Sequence, residues 1–292
     1  MPTMTPNPTG GFRLTVLGCS SAPPHEAWPA AGYLIEWDTT TVLLDVGQGV
    51  IRRLQRLMDP THLSAVVIGH MHADHYLDVV GLRYLFPWGE AAPDPLPVHL
   101  PPGGRDRLDA LATAVSERPG FFDAGFDARE YDPEVPLRIG PFTIRFVRGR
   151  HYIPAWGVIV EAPDGSRLGY TGDTGPSESV VAAMRGVDLL LIEAGLRLPS
   201  HDDPERGHLT AEEAIDMAVR SEARSTLLVH YAPGRRAELQ ALCDAIGPHL
   251  RPAVAGQTIT IGPSRAEGAG GPIEAAAYAP RAASSAASAR DR

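Results

Sequence analysis

The sequence predicts an α/β fold, and three observations carry that reading. Short apolar runs of strand character alternate with helix-patterned runs along most of the chain. The 292 residues, 43% of them hydrophobic, are enough for one large domain or two small ones with an ample core. A dense set of metal-binding side chains follows directly on one of the apolar runs. After Ala65-Val66-Val67-Ile68 comes Gly69-His70-Met71-His72-Ala73-Asp74-His75, three imidazoles and a carboxylate within six residues. On a turn leaving a strand, His70 and His72 can face one metal ion, and Asp74 and His75 a second. Imidazole nitrogen with carboxylate oxygen suits Zn²⁺ best, with Mn²⁺ or Fe also accommodated.

Composition narrows the classes. No apolar stretch approaches the roughly 20 residues of a membrane span. The first residues have neither the basic nor the apolar region of a secretory signal, so a cytoplasmic location is expected. The two cysteines, Cys19 and Cys243, are too few for a cysteine-based zinc site or a disulfide framework. Cys19 follows a strand and reads as a small buried residue. Net charge is −9, and all 26 basic residues are arginine. That balance argues against broad non-specific nucleic-acid binding, but not against a phosphate-bearing substrate, because bound metals would invert the local field.

Taken in order, residues 1–11 read as a disordered lead-in. Residues 12–18 alternate as a strand, and 19–31 form a loop with Ser20, Ser21 and His25. Residues 33–37 and 41–45 read as a hairpin. Val50, Ile51, Leu54 and Leu57 then recur at helical spacing. Asp45, between hairpin and helix, is either a helix cap or an acceptor for a ligand histidine. Beyond the histidine-rich turn a helix is expected over 76–86, with its first amides placed to orient anionic groups. A short strand at 97–100 and a helix over 105–116 follow. The aromatic, acidic stretch 121–131 reads as a surface connection. A strand over 142–147 leads to His151, and 156–161 with 167–171 form a second hairpin turned by Asp164-Gly165. A helix near 177–184, a buried strand over 187–193, a helix opened by a Thr210/Glu213 capping box, a strand over 226–230, a helix over 235–246 and a strand over 258–261 complete a domain spanning 12–262. Residues 263–292, with 11 alanines in 30, read as a disordered tail.

Further candidate ligands sit at strand ends. His151 is a third ligand for a zinc site. Asp173, between Gly172 and Thr174-Gly175 after a strand, can approach two metals at once. His230 ends the strand 226–230. His208 lies just before a helix start, where phosphate oxygens are also favoured. Two metals bridged by a carboxylate form a hydrolytic centre suited to in-line displacement at phosphorus. No P-loop, no dinucleotide-binding glycine motif and no G-x-S-x-G elbow offers another chemistry.

The H-x-H-x-D-H motif, with His151, Asp173 and His230 following in that order, resembles the metallo-β-lactamase-fold hydrolases over residues 12–262. The resemblance implies a four-layer αβ/βα sandwich of two mixed sheets with the site at one edge. It implies that His70, His72 and His151 hold one metal, that Asp74, His75 and His230 hold the other, and that Asp173 bridges them. Leu17-Gly18, Gly172-Asp173-Thr174, Ile192-Glu193-Ala194 and above all Gly207-His208-Leu209-Thr210 are most similar to the ribonuclease Z-like phosphodiesterase branch. In that branch the residue matching His208 contacts the scissile phosphate or protonates the leaving oxygen, and the one matching Asp74 also orients the attacking water.

The chain departs from that branch twice. Transfer-RNA 3′-processing enzymes carry a long basic arm where this chain has only the turn 162–166. They also carry a basic loop after the first strand, where this chain reads Ala22-Pro23-Pro24-His25-Glu26-Ala27-Trp28-Pro29. The expected activity is therefore a dinuclear phosphodiesterase acting on a small phosphodiester such as a cyclic nucleotide. A ribonuclease Z-like RNA endonuclease, or a lactonase, thioesterase or arylsulfatase on the same centre, is the alternative. A membrane partner is not expected. A homodimer is open, through Leu82, Tyr84, Leu85, Phe86 and Trp88 where core packing does not claim them.

Overall fold

The computed structural model describes residues 11–23, 25–86, 94–263 and 275–276. The expected N-terminal lead-in, save Gly11, and the expected tail beyond residue 263, save two residues, lie outside the described set. The chain builds a first sheet from β1 (Phe12–Gly18), β2 (Gly32–Trp37), β3 (Thr40–Leu44), β4 (Ala65–Val67), β5 (Leu96–Leu100) and β6 (Phe126–Glu130). It crosses to a second sheet with β7 (Leu137–Ile139), β8 (Phe142–Arg148), β9 (Trp156–Glu161), β10 (Arg167–Tyr170), β11 (Leu189–Glu193), β12 (Thr226–Val229) and β13 (Leu250–Pro252). It then returns to the first sheet with β14 (Thr258–Ile261) and β15 (Ala275–Ala276). The strand orders are β15-β14-β1-β2-β3-β4-β5-β6 and β13-β12-β11-β10-β9-β8-β7, and each sheet mixes parallel and antiparallel pairs.

Strand alternation assigns the layers. Val42 and Leu44 of β3 point between the sheets and pack with Leu14, Ile35, Val158, Leu168 and Leu191, whereas Leu43 points outward. Beneath Leu43, α1 (Val50–Leu54), α2 (Ala73–Tyr76), α3 (Val79–Arg83) and α4 (Gly104–Val115) flank the first sheet, with Val50, Leu54, Leu82 and Leu108 in its outer core. On the far side α5 (Glu178–Ala183), α6 (Ala211–Arg220) and α7 (Arg236–Ile246) cover the second sheet through Val181, Met217 and Leu239. This is the αβ/βα sandwich. Cys19 and Cys243 are free and buried. No helix among the described residues is long and apolar enough to cross a membrane.

Two expectations need correction, and a third is narrowed. The single helix over 76–86 is two short ones: the histidine-rich turn itself winds into α2, which contains Asp74 and His75, and α3 begins anew at Val79. The helix starts at Ala73 and not at residue 76, so its first amides belong to the histidine-rich turn itself. The stretch 121–131 is not a surface connection, for it contains β6, and Phe121, Phe122 and Phe126 are buried in the outer core. Of the apolar set considered for a dimer contact, Leu82 and Phe86 are core residues, Tyr84 is exposed, and Trp88 lies outside the described residues.

The topology positions the site. β3 and β4 are parallel, as are β10, β11 and β12, and β8 runs in the sense of β10 because β9 is antiparallel to both. Their carboxyl ends therefore gather at one edge of the sandwich, where ligands of open α/β sheets are usually received. The backbone N–H of Trp156 donates to Gly69 O at 3.1 Å and ties the two sheets together there. Gly47 serves the close approach: a Cβ at that position would lie 1.9 Å from the carbonyl oxygen of Asp74.

Candidate metal centre

Each residue predicted as a metal ligand leaves the carboxyl end of a strand or the loop just beyond it. His70, His72, Asp74 and His75 follow β4, His151 follows β8, Asp173 follows β10, and His230 follows β12. The structure brings them together in groups whose potential ligand atoms lie within 4.8 Å of one another: His70, His72, His151 with Asp173, and Asp74, His75, His230 with Asp173. Asp173 belongs to both. Its Oδ2 lies 3.6 Å from His70 Nε2, 3.3 Å from His75 Nε2 and 3.4 Å from His230 Nε2. The adjoining helix does not use this carboxylate as a cap, because Ser177 accepts the Val180 N–H of α5.

The donor set fits a pair of divalent cations. Both ring nitrogens of His70, Nε2 of His75, Oδ1 of Asp173 and Nδ1 of His230 are buried without a hydrogen-bond partner among the described residues. Orphaned polar atoms in such number are costly and call for an ion or water between them. Charge tells the same story. Burial alone would raise the Asp173 carboxyl, but the imidazoles of His230, His75 and His70 hold it well below the usual range. Burial likewise opposes ionisation of Asp74, yet the hydrogen bond from His230 and the charges of His75 and His230 bring it to about 2. Burial favours the neutral form of His75, and Asp173 and Asp45 reverse this and raise it. Burial opposes the proton on His230 as well, but Asp173 and the hydrogen bond to Asp74 raise it. His75 and His230 thus balance the buried carboxylates, whereas burial lowers His70, His72 and His151 toward the neutral form that ligates a metal.

Asp45 resolves as an acceptor and not as a cap. Its Oδ2 lies 2.7 Å from His75 Nδ1 and accepts the Tyr170 hydroxyl at 2.7 Å, while Oδ1 accepts the Gly69 N–H at 2.8 Å. It fixes the ring of His75 and the start of the histidine-rich turn at once. Asp45 and His230 also adopt the left-handed backbone region, with φ of 55° and 53°. For non-glycine residues this strain concentrates at functional sites. Asp45→Asn keeps the shape, and asparagine tolerates that backbone. The expected outcome is a folded protein whose metal affinity falls about 10–100-fold, read by chelator competition.

His208 joins the centre from the loop before α6. Its Nδ1 lies 2.9 Å from Glu193 Oε1 and 3.9 Å from Asp173 Oδ2, and its ring stacks on His230 with centroids 5.4 Å apart. Burial lowers its pKa, but the hydrogen bond and charge of Glu193, with Asp173 and Asp202, more than reverse this and raise it to about 9. Asp202 Oδ2 accepts the N–H groups of Gly207 and His208 at 2.9 and 3.1 Å. Gly207 O in turn lies 2.7 Å from His151 Nδ1 and sets that ring.

Sequence reasoning gave Glu193 and Asp202 no site role. Glu193, at the end of the fully buried β11, also accepts N–H from Thr174 at 3.0 Å and from Gly195 at 3.0 Å. It can join Asp173, His208 and His230 around an ion. With both oxygens already accepting, it reads instead as the group that orients His208. The signal was available: a lone acid closing Leu189-Leu190-Leu191-Ile192. Asp202 gives none, since it sits in a loop of many charges. The groups face a cavity of about 440 Å³, lined by His72, Asp74, Asp173, His208 and His230 and by the loop residues Ala22 and Pro23.

Comparison with known proteins agrees with this geometry. Residues 40–231 match the family described as the Beta-lactamase superfamily domain. The chain is 35% identical over 257 residues to the Mycobacterium leprae protein ML1173, covering 85% of this chain and 88% of that protein. It is 28% identical over 223 residues to the probable metallo-hydrolase YhfI of Bacillus subtilis, covering 75% of this chain and 86% of YhfI. The crystal structure of YhfI superposes with a TM-score of 0.73 at 23% identity, covering 85% of this chain and 98% of that one. A ribonuclease Z of Natronomonas pharaonis is 27% identical over 267 residues, covering 75% of this chain and 86% of the enzyme. By the family match over well more than half its length and by these relatives, the chain belongs to the beta-lactamase superfamily, as a metallo-β-lactamase-fold hydrolase related to ribonuclease Z.

Proposed function

We propose that the chain is a metal-dependent phosphodiesterase acting on a small phosphodiester, with a 3′,5′-cyclic nucleotide as the first candidate. His70, His72 and His151 would hold one ion, Asp74, His75 and His230 the other, and Asp173 would bridge, with zinc the metal that best suits these donors. When bound, the ions lower the pKa of a water and act as Lewis acids on a substrate oxygen. The observation that carries the reading is His208. Its Nδ1 is taken by Glu193 and its ring lines the cavity, so Nε2 is the nitrogen left to meet a substrate. An imidazolium there can clamp a phosphate oxygen and hand a proton to the leaving oxygen. Asp74, beside it in the cavity, is held ionised and can accept a hydrogen bond that orients the attacking water.

Small substrates are favoured over large RNA. β9 and β10 are joined by a tight turn in which Ala162 N–H donates to Ser166 O at 3.0 Å, so no arm extends between them. RNA processing is the second reading, supported by the sequence likeness to ribonuclease Z. Lactone or thioester hydrolysis has less use for an imidazole held against a buried glutamate.

The test is turnover of 3′,5′-cyclic AMP and of bis(p-nitrophenyl) phosphate by protein loaded with Zn²⁺ or Mn²⁺, with and without chelator. Metal-dependent cleavage of both is expected. Cleavage of the activated diester alone would keep the chemistry and move the substrate search to RNA, where binding would be salt-sensitive. Failure on both by metal-loaded protein would sink the phosphodiester reading.

A further inference from the structure

A second cavity, of about 540 Å³, adjoins the metal-facing one and shares Ala22 and Pro23 with it. The loop after β1 forms one wall and α1 with its following turn the other, bringing Arg52, Arg53 and Arg56 onto its surface. Of its described lining residues only Glu26 carries a carboxylate, which leaves an excess of positive charge. None of the three arginines makes an ion pair among the described residues. Other surface arginines are neutralised by carboxylates, as in Arg13 with Glu36, Arg105 with Asp109 and Asp123, and Arg185 with Glu222; what sets this group apart is that three guanidiniums line one cavity. Arg53 is fixed by donating from Nη2 to Ala27 O at 2.7 Å. Burial first, and then the charge of Arg56, lower it from the ordinary arginine range. Unpaired guanidiniums gathered beside a cavity cost stability through mutual repulsion and gain it back from an anion. The half-buried Trp28 lines the same cavity and packs edge-on against Tyr231, the residue after His230. Guanidiniums beside an indole suit a nucleotide, with phosphate on the former and base against the latter.

We propose that this cavity is an anion subsite for a second phosphate of the substrate, so that the preferred small phosphodiester carries another phosphate on a nucleotide adjoining the scissile linkage. The inference rests on the phosphodiesterase reading and narrows it. The basic groups that the loop 22–29 lacks in sequence are supplied across the cavity by α1 and the turn after it.

The experiment compares the dinucleotide ApA with its 5′-phosphorylated and 3′-phosphorylated forms, pApA and ApAp, which share one diester and differ only in the terminal phosphate. One phosphorylated form is expected to exceed ApA in kcat/KM by about tenfold or more, a preference that added salt reduces. In the double variant Arg52→Ala/Arg56→Ala, whose side chains are exposed and carry no core packing, that preference should collapse toward unity, with the loss in KM. The corresponding double lysine variant should recover part of it, because charge returns without the guanidinium fork. Thermal melting of both variants checks that the fold is kept. Equal cleavage of all three dinucleotides by the wild type, or a preference that survives the alanine variant, overturns the subsite. Cleavage of bis(p-nitrophenyl) phosphate alongside either result leaves the phosphodiesterase reading standing. Failure on every diester removes that reading and the subsite with it.

Discussion

Asp173→Asn is expected to lower kcat/KM by about 10³-fold or more and to reduce bound metal from two equivalents toward one. Each 1.36 kcal/mol of lost transition-state stabilisation is tenfold in rate, and losing a bridged cation pair forfeits several kcal/mol. The residue is fully enclosed, and Oδ2 sits within 3.6 Å of nitrogens on His70, His75 and His230, which come from two different sheets' loops. Asparagine has nearly the same shape, so the fold should survive while the charge that would draw both ions together is gone. The substitution leaves the cap of α5 untouched, because that role belongs to Ser177. Metal analysis after dialysis, with steady-state rates on bis(p-nitrophenyl) phosphate, reads the outcome. Two retained equivalents with activity within tenfold of the wild type would remove Asp173 from the bridging position.

Much of this candidate centre is legible in the sequence because the side chains that could ligate a metal are tied to strand ends. The run Ala65-Val66-Val67-Ile68 announces β4, and the histidines that follow can only lie at its carboxyl end. The same logic places His151, Asp173 and His230, and parallel pairing then gathers the ends at one edge. What escapes pattern reading has a common physical origin. β6, β7 and β13 are all edge strands, where one side of the ladder is open and the pattern weakens. β6 reads Phe-Asp-Ala-Arg-Glu, mostly polar, and is held by register with β5. β13 ends in Pro252, which an edge tolerates and a central strand does not. The division of the helix after the histidine-rich turn is tertiary too: the Asp78 N–H donates to Val46 O at 3.0 Å and its side chain accepts the Ile51 N–H at 2.9 Å, tethering the break to the neighbouring loop. The same holds for the arginines of α1. Their helical spacing is visible, but the wall they face is not.

His208→Ala separates two roles that the geometry allows for this imidazole. As a proton donor to the leaving oxygen, it would contribute about 10²–10⁴-fold in rate. That contribution depends on the leaving group. A ribose alkoxide, expelled when a cyclic nucleotide opens, needs a proton, whereas p-nitrophenolate leaves readily without one. The variant should therefore lose about 10²-fold or more on 3′,5′-cyclic AMP and much less on bis(p-nitrophenyl) phosphate. A residue that only clamps a phosphate oxygen would cost both substrates alike, because each presents the same oxygens. Glu193→Gln tests how the ring is held. Glu193 accepts from the backbone of Thr174 and Gly195 as well as facing His208, so glutamine weakens the anionic partner of the ring while an amide oxygen still accepts one backbone N–H. Its loss should share the leaving-group dependence of His208→Ala at smaller size, since a neutral partner leaves less charge on the imidazole. Metal content should stay at the wild-type level in both variants, which distinguishes them from Asp173→Asn. Equal losses on the two diesters would make His208 an electrostatic clamp alone, and undiminished turnover of both would take it out of the reaction.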